Sequence, residues 1–308
     1  MHAQARMFPV RSSGTILCVG SAAAFGAMAV FGKLAYDEGA TVGTLLAVRF
    51  GLAAVMFWGL VLAGGAVREL RALAGRDVSL GLALGGCGYA IQAGCYFAAL
   101  QRIDASLLSL LLYTFPAIVA VAAVVLGRER LESRRLVALG LASGGLALVV
   151  AGAGAGALDP LGASLGLGAA LVYSTYILVS EGIAGRVSPR LLSALVCTGA
   201  AVALTVATAL LGDLRPGDVT AAGWGWLACL AVVSTVGAIS MFFAGLDRVG
   251  PTSASILSTV EPVVTVLLAF LVFGETLAAV QLAGGVLVIA AVLALALRVR
   301  PQLQGATT

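Results

Sequence analysis

Ten stretches of 19 to 26 mostly apolar residues follow one another along this chain: 14–35, 43–63, 78–100, 104–126, 135–153, 161–180, 190–211, 221–246, 252–273 and 276–297. A helix needs about 20 such residues to cross a bilayer. Water is absent there, so a spanning segment must satisfy its own backbone hydrogen bonds, which a helix does. The breaks between windows hold the turn formers and most of the charge, among them Tyr36-Asp37-Glu38-Gly39, Arg68 to Asp77 and Asp247 to Pro251. They are too short for a soluble domain. Charged residues make up 10% of the chain, against about 25% in soluble domains. The expected fold is therefore an all-α membrane protein of ten transmembrane helices.

The basic residues set an orientation. With the N-terminus inside, 14 of the 18 Lys and Arg fall in cytoplasmic segments. They are Arg6, Arg11, Arg68, Arg71, Arg76, Arg128, Arg130, Arg134, Arg135, Arg186, Arg190, Arg248, Arg298 and Arg300. Only Lys33, Arg102 and Arg215 fall outside, and Arg49 lies within the second window. Cytoplasmic loops carry the excess of Lys and Arg, so both termini are expected in the cytoplasm and the chain in a bacterial inner membrane. The net charge of +4 is scattered over short loops, which excludes a surface for nucleic acid. Arg6 and Arg11 before an apolar run resemble a signal peptide, but the run is close to spanning length and nine more follow, so an uncleaved first helix is expected.

The chain repeats itself at an offset of 146 residues. Phe97-Ala98-Ala99-Leu100-Gln101-Arg102 aligns with Phe243-Ala244-Gly245-Leu246-Asp247-Arg248, Pro116 with Pro262, and Glu129-Arg130-Leu131 with Glu275-Thr276-Leu277. Five windows separate equivalent positions, and an odd number inverts the second copy. The loop Arg128–Arg135 is rich in arginine, whereas its counterpart Gly274–Ala279 has no basic residue, so the two face opposite sides. Two five-helix units are expected, 14–153 and 161–297, in the inverted arrangement that many secondary transporters build around a central site.

The chain resembles the drug/metabolite transporter superfamily, in its EamA-like ten-helix branch. The resemblance rests on Leu46-Ala47-Val48-Arg49-Phe50, the Phe-Ala-x-Leu-x-Arg ends of helices 3 and 8, the prolines within helices 4 and 9, and the Glu-x-Leu starts of helices 5 and 10. Helix 7 departs from it, since Leu191-Leu192-Ser193-Ala194-Leu195 lacks the arginine of helix 2. What the resemblance implies is export of small metabolites such as amino acids, related amphipathic solutes or drugs. Import by the same fold is the alternative.

Charges inside the apolar windows are the sharpest candidates, because a membrane-embedded charge is expensive and marks a pathway. Glu261 stands mid-window just before Pro262, which removes a backbone hydrogen bond. A substrate or proton site is one reading and a structural pair with Arg49 the other. Ser258, Glu261 and Thr265 share a helix face, with Thr259 alongside. Arg49 either faces the site or reaches back to the surface, and Lys33 is expected to snorkel. Tyr89, Gln92 and Tyr96 form a polar stripe in helix 3, Tyr173 and Tyr176 another in helix 6, and Tyr113 with Thr114 precedes Pro116 in helix 4. Such stripes normally face a bundle interior. The expected substrate-binding set is therefore Glu261, Arg49, Tyr89, Gln92, Tyr96, Tyr113, Tyr173, Tyr176, Ser258 and Thr259. Gly140, Gly144, Gly284 and Gly285 permit close packing of helices 5 and 10, and a homodimer face there is an alternative to a monomer.

No catalytic, metal or cofactor site is expected. His2 is the only histidine. Gly162-Ala163-Ser164-Leu165-Gly166 matches a hydrolase motif that requires a strand-turn-helix and a histidine partner, and it lies in an apolar helix. Gly32-Lys33-Leu34 lacks the Ser or Thr of a phosphate loop. A membrane-embedded enzyme is thus disfavoured. The remaining expectation is a secondary carrier whose partners are a small solute, the bilayer and, if coupled, protons.

Overall fold

A computed structural model describes residues 7–65, 67–127, 133–152 and 159–296. Arg6, Arg128, Glu129, Arg130, Leu131, Arg298 and Arg300 lie outside the described residues, as do the side chains of Arg11, Arg134 and Arg135. The chain is all-helical among the described residues. Ten apolar helices follow in the order expected: α1 (Met7–Gly26 and Met28–Asp37), α2 (Val42–Ala63), α3 (Gly75–Leu100), α4 (Ala105–Leu112 and Phe115–Val125), α5 (Ser133–Gly152), α6 (Pro160–Ala184), α7 (Pro189–Leu210), α8 (Ala221–Val249), α9 (Pro251–Ser258 and Val260–Phe273) and α10 (Ala279–Ala296). Eight are long and apolar enough to cross a membrane, and the described apolar parts of α5 and α10 are somewhat shorter. Many large apolar side chains point outward, including Val55, Leu62, Val125, Leu210 and Val286. In water they would form an untenable surface; in lipid they are the expected one.

The packing repeats in two copies. α2 lies against α7 and α5 against α10, and the pairing of α1 with α8 is matched by that of α6 with α3. An inverted repeat demands this pattern, since its pseudo-twofold axis exchanges α1 with α6 and α8 with α3. Local irregularities repeat as well. α4 breaks at Tyr113-Thr114 and α9 at Thr259, each three residues or fewer before its proline. α3 contains a π-helical segment at Leu84–Tyr89 and α8 one at Val232–Gly237, two residues from strict register. Each is a local widening of the kind that often marks functional regions of helices.

Several crossings bring backbones together, two of them through glycines on both helices. A side-chain carbon at Gly85 would run into the Val196 carbonyl, and one at Gly199 into the Leu82 carbonyl, so α3 and α7 touch main chain to main chain. α5 meets α10 through Gly145 and Gly284, where an added carbon would lie 2.7 and 2.6 Å from the opposing carbonyl oxygen. Gly140 and Gly144, expected at this contact, face open space instead, and Gly285 faces Leu110. On α5 the contact uses the glycine one position further along the chain than the sequence motif indicated.

The broken helices divide the bundle. The Ala105–Leu112 half of α4 packs against the Val260–Phe273 half of α9. The other halves make no comparable contact with each other: Phe115–Val125 lies on α6, and Pro251–Ser258 on α1 and α8. The two central helices thus meet at one end of the bundle and part toward the other.

Candidate functional site

Pro262 has no amide hydrogen, so the carbonyl of Ser258 loses the donor it would have in an unbroken helix. The Tyr113 hydroxyl, from the break in α4, donates to that carbonyl at 2.5 Å. The same hydroxyl lies 3.2 Å from Oε2 of Glu261. A phenol has one proton to give, and the shorter contact takes most of it. The Glu261 carboxylate is therefore left with most of its acceptor capacity free, although its side chain lies within the span. The two proline breaks meet here, each contributing a group the other uses.

Aromatic rings continue from this point. Tyr113 packs on Phe115 with centroids 5.9 Å apart, Phe115 on Tyr173 at 4.8 Å, Tyr173 on Tyr176 at 6.2 Å, Tyr176 on Tyr89 at 5.6 Å, and Tyr89 on Phe50 at 5.3 Å. This belt joins α4, α6, α3 and α2. Tyr89, Tyr96, Tyr113 and Tyr173 all lie within electrostatic reach of Glu261. The belt thus links tyrosines of three separate sequence stripes and ends at Tyr113, which contacts the Glu261 carboxylate. Gln92 is buried beside them on α3.

Arg49 lies at the other end of the belt. It is 2% exposed, so it neither snorkels to the surface nor opens onto it. Nε donates to Thr235 Oγ1 at 2.9 Å, and Thr235, inside the π segment of α8, donates in turn to the Leu230 carbonyl just before it. The guanidinium sits 4.9 Å from the Phe50 centroid and 5.3 Å from that of Phe97. The pairing with Glu261 weighed from sequence is not formed. A central arginine costs roughly 3 kcal/mol by insertion scales. Two desolvated ring contacts of about 1 kcal/mol each and one charged hydrogen bond of about 1.5 kcal/mol offset this without a carboxylate. Thr235→Val should therefore lower the melting temperature of the purified protein, by about 1–2 kcal/mol of stability. Unchanged melting would show that the arginine does not depend on the π segment.

Other candidates have different partners. Thr265 donates to the carbonyls of Gly26 and Glu261 and so faces α1. The hydroxyls of Ser258, Thr259 and Thr114 bond to carbonyls of their own helices; Ser258 meets the site through its backbone. Lys33 does not snorkel freely but pairs with Glu275 at 2.6 Å. Phe50, Phe97, Phe115 and Thr235 were not among the site residues expected from the sequence, although Phe50 and Phe97 stand in its motifs. Phe115 had a signal, since it occupies the register position of Glu261, and so had the polar Ser234-Thr235 pair in an apolar run.

Ten apolar helices in inverted halves, two of them broken around a carboxylate within the span, define a membrane transporter. The model of the EamA-like transporter family matches residues 12–151 and again 160–297. The chain belongs to the EamA-like transporter family. It is 30% identical over 208 residues to an uncharacterized transporter of Archaeoglobus fulgidus, covering 66% of this chain and 71% of that one. It is 25% identical over 288 residues to the uncharacterized transporter YcbK of Bacillus subtilis, covering 89% of each. A protein crystal structure superposes with a TM-score of 0.65 at 19% identity, covering 92% of this chain and 96% of that one; this likeness shows the fold.

Proposed function

We propose that the chain exports small metabolites, amino acids, related amphipathic solutes or drugs, across a bacterial inner membrane. Both termini are cytoplasmic in this reading, which the one-sided arginines support. The units 14–153 and 161–297 act as the two bodies that alternate access. The observation that carries the reading is Glu261: a carboxylate within the span whose described side-chain partner is Tyr113 alone, set where two broken helices meet. Its free lone pairs suit an N–H or ammonium donor of the solute, and Tyr113, Tyr173, Tyr176, Tyr89 and Tyr96 supply faces for an apolar or aromatic body. Gln92 adds an amide, and Ser258 and Thr259 complete the wall at the break. Arg49 acts through Tyr89, beside its guanidinium. Glu261 also suits a proton carrier.

Thermal melting of the purified protein against apolar and aromatic amino acids and amphipathic amines tests the site. A ligand that binds only the folded state raises stability by about 2.7 kcal/mol at a hundred times its Kd. Flux of that ligand into proteoliposomes should then rise when a pH gradient is imposed. Equal flux with and without the gradient would remove proton coupling. No melting shift across the panel would remove the solute class.

A further inference from the structure

The helix-terminal amides of α4 are capped from the wrong repeat. Asp104 is the N-cap residue of Ala105–Leu112, and aspartate is among the best residues for that position, yet its side chain makes no capping bond. Glu275 makes it instead, from the linker between α9 and α10. Its Oε2 accepts from the Ser106 amide at 3.0 Å and the Ser106 hydroxyl at 2.9 Å, and its Oε1 from the Ala105 amide at 3.2 Å. Lys33 of α1 adds an ion pair at 2.6 Å and lies 3.8 Å from Asp104. The Glu275 side chain is 7% exposed and that of Asp104 63%. Burial acts to raise the Glu275 pKa, but the bonds from Lys33, Ser106 and Ala105 outweigh it and hold the carboxyl below the usual range.

Every donor to this carboxylate belongs to the first repeat, and the carboxylate to the second. Beneath it lies the seam between Ala105–Leu112 of α4 and Val260–Phe273 of α9, and Ser106, Leu108, Ser109 and Leu112 are all buried. If this seam parts, α4 loses its cap, and orphan amides in a membrane protein are costly. Asp104, whose side chain makes no capping bond while Glu275 is in place, is then at the position from which an N-cap side chain accepts from the Ser106 or Leu107 amide.

The geometry points to a cap exchange as the latch of this mouth: Glu275 caps α4 when the seam is shut, and Asp104 takes over when it opens. Opening therefore exchanges one set of hydrogen bonds for another instead of abandoning one. The inference rests on the alternating-access reading. It makes Glu275 and Asp104 positioning residues with opposite effects, which a purely structural cap would not produce.

The test uses the full chain with Cys18, Cys87, Cys95, Cys197 and Cys229 replaced by alanine and Ser109→Cys as reporter. Ser109 lies a turn below Ser106 and is 5% exposed. Its rate of reaction with a charged maleimide reports opening of the seam. Glu275→Gln should raise the rate about tenfold, a shift of about 1.4 kcal/mol toward open. Lys33→Gln, which removes the ion pairs to Glu275 and Asp104 and the contact with the Phe273 ring but leaves the amide cap, should raise it less, and decides the matter if Glu275→Gln does not fold. Asp104→Ala should lower the rate severalfold. Rates that move in the same direction for Glu275→Gln (or Lys33→Gln) and Asp104→Ala, or that do not move, would overturn the exchange. Opposite shifts in a protein that carries no solute in proteoliposomes would overturn the transport reading and leave the latch standing.

Discussion

Glu261→Gln is expected to abolish the stabilisation produced by a bound solute and to lower its transport by about 10- to 100-fold, the loss of one charge-assisted hydrogen bond of roughly 1.5–3 kcal/mol. Glutamine keeps the size and one acceptor oxygen. Tyr113 can still donate to the Ser258 carbonyl, because that bond does not involve the Glu261 side chain. Folding should therefore survive, and the melting temperature without ligand should stay close to that of the parent. The measurement is paired: melting with and without solute, and flux in proteoliposomes. Unchanged binding and flux would show that the carboxylate serves only the packing of α4 against α9. Loss of folded protein would show that it is needed for the fold itself.

The second large effect falls far from any polar group. Gly199→Val should prevent assembly of the bundle. The new side chain would enter the backbone of α3 at Leu82, next to the reciprocal contact of Gly85 with Val196. Neither neighbour can rotate away, since both are main chain. Overpacking usually costs about 1–3 kcal/mol where side chains can yield; here two helices must separate and the cost should exceed that range. Gly94→Ala is the control, because nothing lies within contact distance of an added carbon there. Monodisperse yield after extraction separates the two. Normal yield and melting for Gly199→Val would mean that the α3–α7 crossing is looser than described.

Much of the scaffold could be read from residue order alone, for physical reasons. A spanning helix must be about 20 residues long and apolar, so hydropathy counts helices directly. Pro116 and Pro262 forecast the two breaks because the missing amide acts on the backbone nearby. Glu261 stood out because a charge at that depth is rare. What escaped depends on distant partners. Nothing in Leu84–Tyr89 or Val232–Gly237 spells a π turn; their neighbours in space impose it. Arg49 invited an acidic partner, and two phenylalanine faces and a threonine serve instead. The contact glycine of α5 is Gly145, beside the expected Gly144, because a small residue permits close approach without saying which neighbour will come. The tyrosine stripes were legible one helix at a time, but not the order in which they link.

The breaks in α4 and α9 also decide where movement is felt. Each central helix is two rods hinged near the depth of Glu261 and Tyr113. A 14-residue rod such as Val260–Phe273 is about 21 Å long, so a tilt of about 15° about its hinge swings the far tip by about 5 Å. A group one turn from the hinge moves by only about 1 Å in the same tilt. Short lever arms at the carboxylate and long ones at the mouth allow a gap as wide as a small solute to open while the bonds that hold the solute barely stretch.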